Sequence, residues 1–75
     1  MYKVLIVDDE QMIRMGIKEG IDWKKLGVEE AYTAASAREA IQIIEEEQPE
    51  LMITDISMSE MTGLDLIREI RRRGL

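Results

Sequence analysis

The order of residues predicts an α/β protein: a doubly wound parallel sheet with helices on both faces, assembled as β-α-β-α-β-α. Three observations predict it. Val4-Leu5-Ile6-Val7 and Leu51-Met52-Ile53 are apolar without alternation, the pattern of strands covered on both faces. Each of these runs is brought to a stop at its carboxyl end by acid, Asp8-Asp9-Glu10 after the first and Asp55 after the second. Segments with helical spacing lie between and after them.

Taken in order, the first strand is Val4 to Val7. A helical pattern then runs from about Glu10 to Gly20, with Ile13, Ile17 and Ile21 spaced by four, and Gly20 and Asp22 mark its end. Trp23 to Gly27 reads as a connector punctuated by its glycine, with Trp23 as a half-buried anchor. Val28 to Thr33 is a poorer strand that carries Glu29 and Glu30, which suits a sheet edge.

Ser36-Ala37-Arg38-Glu39 fits a capping box, in which the serine accepts from one orphan N–H and the glutamate reaches back to another. The helix it opens should bury Ala37, Ala40, Ile41 and Ile44, with Glu45-Glu46-Glu47 at its solvated end and Pro49 as its stop. Leu51 to Thr54 is the third strand. The loop from Ile56 to Gly63 leads into a last helix whose Leu64, Ile67 and Ile70 are spaced by three.

Composition narrows the function. The chain has 75 residues, room for one small domain, and a domain of that size buries only roughly 60% of its unfolded surface. It has no cysteine and no histidine, which removes disulfides, thiolate metal sites and the usual general base. Sixteen acids against ten bases leave a net charge of −6, unsuited to nucleic-acid binding by this segment. The basic run Arg71-Arg72-Arg73 complements a helix C-terminus. No apolar stretch approaches the roughly 18 residues that span a bilayer, and Met1-Tyr2-Lys3-Val4 lacks a signal-peptide layout, so a cytoplasmic protein with no membrane partner is expected. Met12, Met15, Met52, Met58 and Met61 read as packing residues. Lys18, Lys24 and Lys25 read as surface groups; Arg14 could pair with the acidic cluster, but a surface role is the favoured reading.

The chemistry resides in the acids. In a doubly wound sheet, ligands bind beyond the strand C-termini where the winding reverses. If the first and third strands are neighbours, with the second outside the first, Asp8, Asp9 and Asp55 converge there. Carboxylates that close together repel, so either one takes up a proton or a cation sits among them. Oxygen ligands alone favour a hard ion; Mg²⁺ prefers a few carboxylates with waters and a phosphate oxygen. One carboxylate can then act as nucleophile toward a phosphoryl group. The same acids also suit turns and helix caps, and spacing alone leaves both readings open.

Lys3-Val4-Leu5-Ile6-Val7-Asp8-Asp9-Glu10 resembles the opening of bacterial response-regulator receiver domains. Pro49-Glu50-Leu51-Met52-Ile53-Thr54-Asp55-Ile56 resembles the strand that carries their phosphorylated aspartate, and Met58, Met61 and Gly63-Leu64 fit the loop and helix that follow. Ile21-Asp22-Trp23 is similar to receivers joined to AraC-type DNA-binding domains. The resemblance implies a flavodoxin-like fold, with Asp8 and Asp9 as the Mg²⁺-binding pair and Asp55 as phosphoacceptor. It also implies the backbone carbonyl of Ser57 as a third protein metal ligand, and a sensor histidine kinase as donor. Ser59 stands where the family usually has proline, and Thr62 where it usually has Asp or Asn.

The family has five βα units, so residues 1–75 are expected to be a truncated receiver of about three, without the switch Ser or Thr and the phosphate-pairing Lys. Impaired phosphorylation is the expected consequence. A third strand lacking its outer neighbour should pair with another chain, as a homodimer or a strand-swapped or element-swapped oligomer. Two other readings are a structural self-association module without phosphoryl chemistry and a Mg²⁺-dependent phosphohydrolase. The latter needs a general acid two residues past its nucleophile, where Ser57 stands, so a non-enzymatic module is expected.

Overall fold

The structure is a computed structural model that describes residues 2–55 and 62–74. Its elements are β1 (Tyr2–Val7), α1 (Gln11–Gly20), β2 (Val28–Ala34), α2 (Ala37–Glu47), β3 (Leu51–Thr54) and α3 (Gly63–Arg72). The three strands form one parallel sheet in the order β2-β1-β3, so the α/β winding and the neighbouring of first and third strands both hold.

β1 is central, and its apolar run explains why. Val4, Leu5, Ile6 and Val7 are each at most 1% exposed. Alternation along the strand sends them to two cores. Leu5 and Val7 pack with Ala34, Ala37, Ala40, Ile41, Ile44 and Leu66 on the face covered by α2 and α3. Val4 and Ile6 pack with Ala31, and with half-buried Ile17, Trp23, Val28 and Ile53, on the α1 face. The edge assignment of β2 holds, with Glu29 and Glu30 exposed on it.

α2 buries the four residues the spacing picks out, Ala37, Ala40, Ile41 and Ile44. Its capping box closes one residue early. Ser36 Oγ accepts from Glu39 N–H at 3.2 Å as expected, but Glu39 Oε2 accepts from the N–H of Ala35 at 2.8 Å, the residue before the cap. The helix ends at Gln48, left-handed with φ of 50°, and Pro49 follows.

Two apolar stripes differ from expectation. In α1 no residue is fully buried, Ile13 is 45% exposed and Ile21 is also exposed, leaving Ile17 as the isoleucine that packs on the sheet. A spacing of exactly four drifts around a helix of 3.6 residues per turn, and this helix covers only the short β1–β2 face. In α3 the buried side chain is Leu66, with Ile70 half-buried against the same core, Ile67 half-buried and Leu64 exposed; the three-residue row reaches the core through Ile70 and passes over Leu66. Met12 is 89% exposed, against the packing role expected of it, whereas Met15 and Met52 are half-buried; Met58 and Met61 lie outside the described residues. Trp23 is half-buried as expected, its indole N–H donating to the carbonyl of Lys18 at 2.8 Å.

Candidate functional site

The register of the sheet builds the site. Val7 of β1 lies opposite Thr54 of β3, so the next residues, Asp8 and Asp55, emerge side by side at the C-terminal rim. The Asp55 N–H donates to the Val7 carbonyl at 3.1 Å, and the Asp8 N–H donates to the Ala34 carbonyl of β2 at 3.1 Å. The pairing therefore continues one residue past each strand and fixes where the acids stand.

Asp8, Asp9 and Asp55 each offer a carboxylate oxygen within 4.8 Å of the others. This is the convergence the sequence predicted from the strand order. Asp8 is buried, Asp55 half-buried and Asp9 exposed, so the group opens to water on one side. Ser57, whose carbonyl was a further expected ligand, lies outside the described residues, as does Ser59.

Asp8 is held on three sides. Besides its backbone N–H, its Oδ1 accepts from the Glu10 N–H at 2.9 Å and its carbonyl accepts from Arg14 Nη1 at 2.7 Å. The turn at Glu10 precedes the helix, which starts at Gln11 and has no acid in its first turn. Asp8 and Asp9 thus lie before the first turn of α1, and the bond from the Glu10 N–H to Asp8 Oδ1 is a turn of the kind these acids also suit. For Arg14 the less favoured of the two readings holds: it is half-buried against the acidic corner, bound to a backbone carbonyl there. The signal was its place one turn into a helix that follows an acidic pair.

Three oxygen donors of mixed burial, with neither nitrogen nor sulfur among them, fit a hard divalent cation better than a transition metal. Thr62, at the departure from the family pattern, caps α3 through its side-chain oxygen, which accepts from the Asp65 N–H at 3.1 Å, as Asp or Asn would. A cavity of about 640 Å³ opens elsewhere, between α2 and α3, and none of its lining residues belongs to the acidic trio. Among the described residues no helix is long and apolar enough to cross a membrane.

Comparison with known proteins agrees with this architecture. The family model described as response regulator receiver domain matches residues 4–75. The Staphylococcus aureus transcriptional regulatory protein HptR is 46% identical over 70 residues, which are 93% of this chain and 28% of that protein. Among solved structures, a two-component transcriptional regulator AraC from Clostridium phytofermentans superposes with a TM-score of 0.88 at 34% identity, covering 97% of this chain and 59% of that one. Vibrio cholerae chemotaxis protein CheY4 superposes with a TM-score of 0.85 at 32% identity, covering 99% and 59%. The chain thus spans 28% of that curated relative and 59% of the solved chains.

Proposed function

This chain belongs to the response-regulator receiver family, and from that premise we propose that it accepts a phosphoryl group on Asp55 with Mg²⁺ held by Asp8, Asp9 and Asp55. The observation that carries the reading is the register of β1 and β3, which brings the three carboxylates within 4.8 Å at the C-terminal rim. A divalent ion there would neutralise charge that the acids and an incoming phosphoryl group bring together.

The donor in this reading is a phosphohistidine of a sensor kinase. An Asp55 oxygen forms the new O–P bond as the donor N–P bond breaks, and the electron pair returns to the imidazole nitrogen, which takes up a proton. Asp8, fixed by its three hydrogen bonds, supplies a rigid ligand, and exposed Asp9 supplies one in contact with water. The Ser57 carbonyl would complete the protein ligands. None of the four lysines stands at this rim: Lys3 begins β1 at the opposite end, and Lys18, Lys24 and Lys25 lie at the far end of α1 and its connector. Phosphorylation of this 75-residue chain is accordingly slow in the proposal. Its role is that of a module about three βα units long, signalling to transcription in the cytoplasm through an AraC-type effector, as the solved AraC regulator suggests.

Mg²⁺ titration followed by calorimetry or NMR is the direct test. The expected result is saturable binding that disappears in Asp9→Ala and weakens in Asp55→Asn; an unchanged isotherm in Asp9→Ala would overturn the assignment. Acetyl phosphate with intact-mass detection should then give a slowly accumulating single adduct, absent in Asp55→Asn.

A second reading concerns assembly. Among the described residues β3 is hydrogen-bonded to β1 on one side only, and Leu51 on it is 55% exposed. Such an edge is a template for another strand. The partner proposed is a second copy of this chain, β3 against β3 in antiparallel array about a two-fold axis, or an exchanged element. Light scattering behind size exclusion should show a dimer, and a clean monomer at micromolar concentration excludes it.

A further inference from the structure

Arg14 stands out once the acidic corner is described. It is the fourth residue of α1, near the positive end of the helix dipole, where a cation is the less favoured choice. Its side chain turns back toward the helix N-terminus, the direction long helical side chains take, and Nη1 donates to the Asp8 carbonyl at 2.7 Å. Its own backbone N–H donates to the Glu10 carbonyl at 3.0 Å. One residue therefore ties the end of β1 to the start of α1 across the segment that carries Asp8 and Asp9.

The consequences for Asp8 are specific. Its N–H, its carbonyl and Oδ1 are all committed, to Ala34, Arg14 and Glu10 respectively, which leaves the second carboxylate oxygen for an ion. A charge-assisted bond from half-buried Arg14 to the carbonyl of buried Asp8 holds that corner more firmly than a neutral one. Groups that hold ligands in place matter to a metal site nearly as much as the ligands themselves.

We infer that Arg14 is a positioning residue for the divalent site: its guanidinium clamps the Asp8 carbonyl and so presets the acidic pair for a small ion. The inference rests on the metal reading of Asp8, Asp9 and Asp55. The sign of its effect separates it from simple electrostatics. A cation beside a cation site repels the incoming ion, so if Arg14 acted through charge alone its neutralisation would tighten binding. The clamp demands the opposite.

The experiment compares Mg²⁺ and Ca²⁺ affinities of the 75-residue chain with those of Arg14→Met, Arg14→Lys and Asp9→Ala, alongside melting curves without metal. Arg14→Met should lose about tenfold in Mg²⁺ affinity. Its Ca²⁺ affinity should fall less, because Mg²⁺ demands near-ideal octahedral geometry and Ca²⁺ tolerates irregular cages. Arg14→Lys should recover most of the loss, since an ammonium also donates to a carbonyl, and it serves as the readout if Arg14→Met does not fold. Unchanged or tighter Mg²⁺ binding in Arg14→Met, with Asp9→Ala inactive in binding, overturns the role of Arg14 alone. Equal losses for both ions together with a lowered melting point also overturn it, leaving a structural role. Absence of Mg²⁺ binding by the unaltered chain overturns the metal reading instead.

Discussion

The two strands that carry the acids are built differently. β1 is central, its last four residues sealed between two cores, and Asp8 beyond it is 6% exposed. β3 is paired on one side among the described residues, with Leu51 exposed and Met52, Ile53 and Thr54 half-buried, and Asp55 beyond it is half-buried too. The difference teaches a division of labour. Under the proposed function, a metal site wants one ligand that does not move, and burial would provide it at Asp8. A phosphoacceptor must be reached by another protein, and a half-buried place at the C-terminal rim would provide that at Asp55.

Cutting into the sealed strand should have the largest effect. Leu5→Ala removes a fully buried side chain that meets both α2 residues and Leu66 in one core. Such truncations cost about 2–5 kcal/mol, enough to unfold most of a chain this small. Leu51→Ala on β3 should change stability by no more than about 0.5 kcal/mol. Urea denaturation followed by circular dichroism reads both, and similar losses for the two variants would erase the contrast between the strands.

The acids themselves should respond with opposite signs. Without metal, Asp55→Asn eases the crowding of three neighbouring acids while keeping a side-chain oxygen that accepts hydrogen bonds, and should stabilise the fold by about 1 kcal/mol. Asp8→Ala also removes a charge but abandons the bond to the Glu10 N–H, and should cost about 1 kcal/mol. Added Mg²⁺ should then raise the melting point of the unaltered chain by mass action and leave both variants behind.

Much of this was legible before any coordinates. The unbroken apolar runs announced strands covered on two faces, and acid at the end of each run announced where a site would form. Both followed from local pattern plus the winding rule for parallel sheets. What escaped was set by neighbours. Ile13 and Ile21 have the spacing of a buried stripe, yet a short α1 over a narrow sheet covers only Ile17. The row Leu64, Ile67, Ile70 missed Leu66, because a three-residue period does not distinguish two adjacent rows of one helix. For Arg14 the surface outweighed the acidic cluster because the carbonyl it binds belongs to a turn whose shape no composition rule specifies.

The smallest effect concerns how the β3 side is fastened. α3 follows β3, and besides Leu66 it is tied by charge: Glu69 accepts from Arg72 and Arg73, and Arg73 Nη1 also reaches Glu45 of α2 at 3.2 Å. The Arg72 guanidinium first, then that of Arg73, holds the Glu69 carboxyl at about 2, below its ordinary 4.5. A carboxyl depressed in the folded state stabilises the fold above its unfolded value, and that contribution fades as pH falls from 4.5 toward 2. The arginines are exposed and Glu69 is half-buried at the surface, so salt screens the effect and it stays small. Amide exchange should therefore show α3 losing protection over this acid interval before α2 and β1 do. Glu69→Gln should already be weakened at neutral pH and should show no further step there. If α3 and β1 lose protection together in the unaltered chain, the two sides of the sheet are one cooperative unit and the charged fastening adds nothing separable.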